Sequence, residues 1–190
     1  MNDETLILAS GSPRRRELLT LMGIPFAVCP VDVDETREGH PERAVAVLAE
    51  KKAEAARLLL PGRTILAADT LVYCQGETLG TPKDAEDALR MLLLLSDTQN
   101  TVYTGICVID GQTGEKQVRT DSAQVFFTQV ERDAALRYIA SGEPLDKAGA
   151  YGVQGMGGMF VSRIEGSPSN VIGLPMHLVR EMLRNIGWKI

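Results

Sequence analysis

Short apolar runs of strand length alternate with amphipathic stretches of helix length along most of the chain. That alternation restricts the fold to a layered α/β architecture. The strand-like runs are Thr5–Ala9, Phe26–Val31, Thr64–Cys74, Thr101–Ile109, Lys116–Thr128 and Phe160–Ile164. Between them the spacing predicts helices from Pro13 to near Gly23, from Pro41 to Pro61-Gly62, over Asp84–Leu95, near Arg132–Ala140 and over Pro175–Ile186. Pro13 suits the first helical position, with Ser12 as N-cap. Asp110-Gly111-Gln112-Thr113-Gly114 between two strand-like runs signals a hairpin, so the sheet is expected to be mixed. No repeat, low-complexity tract or linker interrupts the 190 residues. The expectation is one domain over residues 1–190, two lobes around one continuous sheet.

Composition narrows the function classes. Twenty Lys and Arg against 25 Asp and Glu leave a net charge of −5, a poor default for a sequence-blind binder of nucleic acid or of an anionic membrane. A local basic cluster can still hold phosphate. The longest tight apolar run, Met91–Leu95, falls far short of the roughly 20 residues that span a membrane. The N-terminus Met1-Asn2-Asp3-Glu4-Thr5 is acidic where a secretion signal is basic. A cytoplasmic location is therefore expected. Cys29, Cys74 and Cys107 are widely spaced, with no C-x-x-C; they read as buried reduced thiols. His40 and His177 are the sole histidines, which excludes a His-rich metal site. P-loop, nucleophile-elbow and dinucleotide fingerprints are all missing. The chemistry falls to carboxylates, cations and, where one binds, a metal ion.

Four stretches carry groups of that kind. In Ala9-Ser10-Gly11-Ser12-Pro13-Arg14-Arg15-Arg16 a strand ends, a small hydroxyl-bearing loop follows, and a helix begins on three arginines. Helix N-termini attract anions, and guanidinium forks suit phosphate. Arginines in a first turn oppose the macrodipole at a cost of roughly 0.3–1 kcal/mol each, which an anionic ligand relieves. A solvated basic turn is the alternative. In Ala67-Ala68-Asp69-Thr70 an acid interrupts an apolar strand. A buried Asp needs an ion partner, hydrogen bonds or a metal. Alternation along the strand would let it face a cleft at the strand end, and bonding to local backbone is the alternative. The acidic loop Asp32-Val33-Asp34-Glu35-Thr36 adds further carboxylates. Finally, Glu143-Pro144-Leu145-Asp146-Lys147-Ala148-Gly149-Ala150-Tyr151-Gly152-Val153-Gln154-Gly155 combines glycines that admit close backbone approach with Asp146, Lys147 and Gln154. Together these describe a metal-assisted site for a phosphorylated small molecule.

At these residues the chain resembles the Maf family of nucleoside triphosphate pyrophosphatases. The resemblance runs through L-A-S-G-S-P-R-R at Leu8–Arg15, the acidic loop ending at Glu35, and L-A-x-x-K-A at Leu48–Ala53. It continues through A-D-T at Ala68–Thr70, the Glu143–Gly155 stretch and V-I-G-L-P at Val171–Pro175. The resemblance implies a mixed, elongated twisted sheet with flanking helices and two lobes around a central cleft, a Maf/ITPase-like fold. It implies Mg²⁺- or Mn²⁺-dependent hydrolysis of a free nucleoside triphosphate to the monophosphate and pyrophosphate, and a homodimer. By position, Asp69 is the general base, and Arg14, Thr70 and Gln154 are specificity positions. Ser12, Arg15, Glu35 and Lys52 line the polyphosphate and metal site, with Glu35 and Asp69 as metal ligands and Lys147 as a further substrate-binding cation.

The specificity positions read Ser-Pro-Arg-Arg, Ala-Asp-Thr and Val-Gln-Gly, similar to the family branch that prefers dTTP and UTP. The amide of Gln154 offers a donor and an acceptor, as the imide edge of uracil or thymine requires. One departure stands at Leu79-Gly80-Thr81-Pro82-Lys83, where the family pattern carries lysine at the place of Thr81. Loss of that ammonium keeps a second expectation open, a weakly active nucleotide-binding regulator of septum formation and cell division.

Overall fold

The computed structural model describes residues 5–36 and 38–190; the acidic residues 1–4 of the sequence reading lie outside the described residues. In chain order the elements are β1 (Leu6–Leu8), α1 (Pro13–Leu21), β2 (Phe26–Val28), α2 (Pro41–Leu59), β3 (Ile65–Cys74), β4 (Glu77–Leu79) and α3 (Ala85–Leu95). They continue as β5 (Gln99–Ile109), β6 (Lys116–Phe127), α4 (Arg132–Ala140), β7 (Val161–Glu165), α5 (Pro168–Ile172) and α6 (Met176–Asn185). The strands form one sheet in the order β2-β1-β3-β5-β6-β7, with β4 paired to β3. β1 runs parallel to β2 and β3, whereas β3–β4 and β6–β7 are antiparallel. The mixed α/β sheet expected from the sequence is present. No helix among the described residues is long and apolar enough to cross a membrane.

The chain forms two compact units. One comprises Met1–Asp69, Thr104–Asp121 and Gly173–Ile190, the other Thr70–Tyr103 and Ser122–Ile172. β3, β5 and β6 each contribute residues to both.

In the first unit, parallel β1 and β2 require a crossover, and α1 supplies it. α1 starts where the sequence predicts, on Pro13 after an extended Ser12, but the Ser12 side chain makes no capping bond. α2 starts on Pro41 after His40, whose ring accepts from the Glu42 N–H at 3.4 Å. Ala49, Ala53 and Ala56 of α2 pack with Ile7, Ala9, Ile65, Ala67, Cys107 and Ile109. These small side chains let the helix lie close on the sheet. A Cβ added at Gly105 of β5 would sit 2.3 Å from the Val45 carbonyl oxygen. Leu59, the last residue of α2, is exposed.

In the second unit Val72, Leu79, Leu92, Leu95, Tyr138 and Phe160 belong to one core. Asp84 caps α3 by accepting from the Asp87 N–H at 2.8 Å. β3 turns at Gln75-Gly76 into the short hairpin strand β4. The glycine-rich stretch is built from 3₁₀ turns at Glu143–Asp146, Ala148–Ala150 and Met156–Phe160. α5 was not signalled by the sequence pattern. It has five residues, too few to show helical periodicity.

Candidate active site

The strand that carries Asp69 is buried along almost its whole length, and Asp69 itself is 4 % exposed. Alternation along the strand predicts that Asp69 turns outward at a strand end. Instead it lies mid-strand in a run with both faces covered, where period-two patterning carries no information. A carboxylate there requires compensation. The Lys52 ammonium donates to Asp69 Oδ1 at 2.9 Å. Lys52 sits on α2 one turn from Ala49 and one from Ala56, so the helix face that buries alanine also aims the lysine at the strand. The same Nζ lies 2.8 Å from Glu35 Oε1, and the Glu35 side chain is half exposed. Next to Glu35, Asp34 closes the loop by accepting from both Thr36 N–H, at 2.9 Å, and the Thr36 hydroxyl, at 2.6 Å. The Thr36 hydroxyl and N–H hold the Asp34 carboxyl below its usual range.

Arg15, in the first turn of α1, is fixed in place. Its Nε donates to the Gly173 carbonyl at 2.9 Å and its Nη1 to Ser10 Oγ at 3.0 Å. The buried Ser10 hydroxyl also accepts from the Ser12 N–H at 3.3 Å. Burial lowers the Arg15 pKa from its ordinary value, Asp69 opposes that, Arg14 adds to it and Glu35 opposes it. A guanidinium is not deprotonated in a protein and remains charged. Ser12, Arg14, Arg15, Glu35, Lys52 and Asp69 thus share the first unit, with Lys52 bridging the two carboxylates and Arg15 in the field of both.

Thr70, Lys147 and Gln154 belong to the second unit. Lys147 donates to the Glu143 carbonyl oxygen and, at 2.7 Å, to Asp146 Oδ1. Gln154 is exposed, with no hydrogen-bond partner for its amide among the described residues. Thr81 and Lys83 are both exposed. His177 is exposed, its Nε2 3.9 Å from Asp121 Oδ2.

Neither the Gly173 carbonyl nor Glu143 carries a local sequence signal for its role. Ser10 had a signal, since it closes an apolar strand ahead of the arginines. The contact between Arg15 and Gly173 joins residues 158 positions apart and leaves no trace in local spacing.

Among the described residues no group of three or more His, Cys, Asp or Glu could hold a metal ion. A magnesium-type ion needs only one or two carboxylates, with water and substrate phosphate completing its shell. Asp69 and Glu35 already converge on one positive charge, the Lys52 ammonium, so the donor set fits such an ion.

Family comparison matches residues 5–186 to the model described as Maf-like protein. The chain belongs to the Maf family. Curated relatives cover it almost end to end. The dTTP/UTP pyrophosphatase of Pelotomaculum thermopropionicum is 42 % identical over 187 residues, 97 % of this chain and 98 % of that one. Those of Moorella thermoacetica and of an Anaeromyxobacter species are 46 % identical over 184 residues and 48 % over 187. They cover 96 % of this chain in both cases and 95 % and 89 % of their own length. Among solved structures, the Staphylococcus aureus Ham1 protein superposes with a TM-score of 0.48 at 18 % identity, over 65 % of this chain and 72 % of that one.

Proposed function

We propose that this Maf-family chain is a divalent-metal-dependent nucleoside triphosphate pyrophosphatase acting on dTTP and UTP in the cytoplasm. Its products are the nucleoside monophosphate and pyrophosphate, and its role is removal of unwanted pyrimidine nucleotides from the pool. The observation that carries the reading is the buried Asp69 carboxylate held by Lys52 in the field of Arg15, in a chain whose near-full-length relatives bear the name dTTP/UTP pyrophosphatase.

In this reading Asp69 takes a proton from the water that attacks the α-phosphorus. A new P–O bond forms, the α–β anhydride bond breaks, and the electron pair leaves on pyrophosphate. Arg14, Arg15 and Lys52 neutralise the departing charge, and Ser12 and Lys147 bind phosphate oxygens. Gln154, Thr70 and Arg14 recognise the nucleoside, the Gln154 amide pairing with the imide edge. Glu35 and Asp69 would hold Mg²⁺ or Mn²⁺, whose charge would neutralise the triphosphate and polarise the phosphorus. Residues 1–190 act as one domain, a reading supported by the three strands common to both units. The family resemblance supports a homodimer, which sedimentation equilibrium tests.

A nucleotide panel with Mg²⁺ or Mn²⁺, read by separate pyrophosphate and orthophosphate assays, tests the reaction. dTTP and UTP are expected to release pyrophosphate, and Asp69→Asn to cut kcat by roughly 10²–10⁴. Orthophosphate as the product, or full activity in Asp69→Asn, overturns it. Thr81, where the family pattern has lysine, favours one second reading, a nucleotide-binding regulator with weak turnover. A strong rise in kcat in Thr81→Lys at unchanged nucleotide affinity would support that reading, and efficient hydrolysis by the wild-type chain overturns it.

A further inference from the structure

Residues 152–158 contain four glycines, Gly152, Gly155, Gly157 and Gly158, yet they carry Gln154, whose amide needs a fixed position to discriminate between bases. The restraint comes from a side chain outside this segment. The Glu143 carboxylate takes three donors: its Oε1 accepts from the Tyr138 hydroxyl at 2.9 Å and from Gly157 N–H at 3.3 Å, and its Oε2 accepts from Met156 N–H at 2.9 Å. The Tyr138 oxygen in turn accepts from Gly152 N–H at 3.2 Å. The backbone is therefore gripped on both sides of Gln154, at Gly152 before it and at Met156 and Gly157 after it.

The fit leaves no spare room. A Cβ at Gly155 would lie 2.4 and 2.5 Å from the two carboxylate oxygens of Glu143, and one at Gly157 would lie 2.6 Å from the Tyr138 oxygen. Tyr138 is itself immobilised, fully buried with its ring edge-on to Phe160 at 5.7 Å. Burial pushes the Glu143 carboxyl up, but the bonds from Met156, Tyr138 and Gly157 outweigh it and hold the group below its ordinary value. An ionised acceptor makes stronger bonds to N–H donors than a neutral one.

We propose that Glu143 and Tyr138 are positioning residues that set the base selectivity of this enzyme by holding the Gly152–Gly157 backbone, and with it the Gln154 amide, in place. The inference rests on the pyrophosphatase reading above, in which Gln154 meets the pyrimidine. A purely structural acid would lower stability or overall rate when removed. A positioning acid acts on the ratio between substrates, and acts only while Gln154 is present.

The test compares kcat and KM for UTP and CTP in the full-length wild type, Glu143→Gln, Tyr138→Phe, Gln154→Ala and the Glu143→Gln/Gln154→Ala double variant. In Glu143→Gln an amide NH₂ faces at least one backbone donor. Its UTP-over-CTP ratio of kcat/KM is expected to fall about tenfold, the effect of one charge-assisted hydrogen bond. The change should appear mainly in the KM for UTP, and should add nothing in the Gln154→Ala background. Tyr138→Phe keeps the buried ring and gives the same change at smaller size, so a Glu143 variant that fails to fold leaves the proposal open to refutation. An unchanged ratio, or a loss that adds in full to that of Gln154→Ala, overturns it. If the wild type releases no pyrophosphate from UTP or dTTP, the pyrophosphatase reading fails instead. Amide hydrogen exchange over Gly152–Gly157 then decides the restraint: faster exchange in Glu143→Gln supports it, and unchanged protection overturns it.

Discussion

Lys52 stands between two carboxylates, and removing it shows how each depends on it. The Asp69 side chain is 5 % exposed and that of Glu35 51 %, so the burden of a lost ammonium falls on Asp69. Lys52→Met is expected to destabilise the chain by about 3 kcal/mol in urea unfolding, the low end for breaking a buried pair, because Arg15 still compensates part of the charge. Adding Asp69→Asn should restore most of that loss, since neither partner is then a stranded ion. A double variant no more stable than Lys52→Met would overturn this account. The cysteines allow an independent check at the same scale. All three are free, as the sequence suggested, but Cys29 is only partly buried whereas Cys74 and Cys107 are enclosed. Burial, with Glu50 next in effect, pushes the Cys107 thiol up to about 12. A thiol reagent at pH 8 should therefore label one cysteine, Cys29, in the native chain and three after denaturation. Labelling of Cys107 under native conditions would contradict the burial.

At the scale of elements, α2 lies against β5 at Gly105 with no room for a side chain. Gly105→Ala would place a methyl group 2.3 Å from the Val45 carbonyl oxygen and 2.7 Å from the Ala46 nitrogen, both backbone atoms of a helix. The expected cost is about 3 kcal/mol, the upper end for overpacking, seen as a Tm lower by about 10 °C. The turn from β5 to β6 responds to acid. Burial pushes the Asp110 carboxyl up, but the Thr113 hydroxyl and the N–H groups of Gln112 and Thr113 outweigh it and hold it below its ordinary 3.8. A carboxyl lowered in the fold contributes stability that is complete above its unfolded value, about 4, and is lost as pH falls through the folded one. Asp110→Asn should therefore be less stable at pH 7, with its stability curve meeting that of the wild type under acid conditions. A constant gap between the curves from pH 7 to pH 2 would refute this. The turn was legible because Asp-Gly and Thr-Gly have local chemistry; β4 and α5 were not, because three and five residues are too short to show a period.

At the scale of the whole molecule, β3, β5 and β6 pass through both compact units, so separating the units means breaking strands mid-course. Unfolding is expected as one transition. Fluorescence of Trp188, the sole tryptophan and part of the first unit, should share its urea midpoint with far-UV circular dichroism, and two distinct midpoints would overturn the one-domain reading. Local residue patterns suffice for the α/β class, the starts of α1 and α2 on their prolines, and a concentration of three arginines in an acidic chain. Each of these is written in neighbouring residues: helix periodicity spans seven or eight positions, and a proline acts on its own turn. Long-range packing places Asp69 in the buried middle of β3, joins it through one lysine to Glu35, anchors Arg15 on Gly173, and lets Glu143 grip the segment bearing Gln154. Those pairings join residues up to 158 positions apart, and a fully buried strand erases the alternation that would have shown which way its acid points.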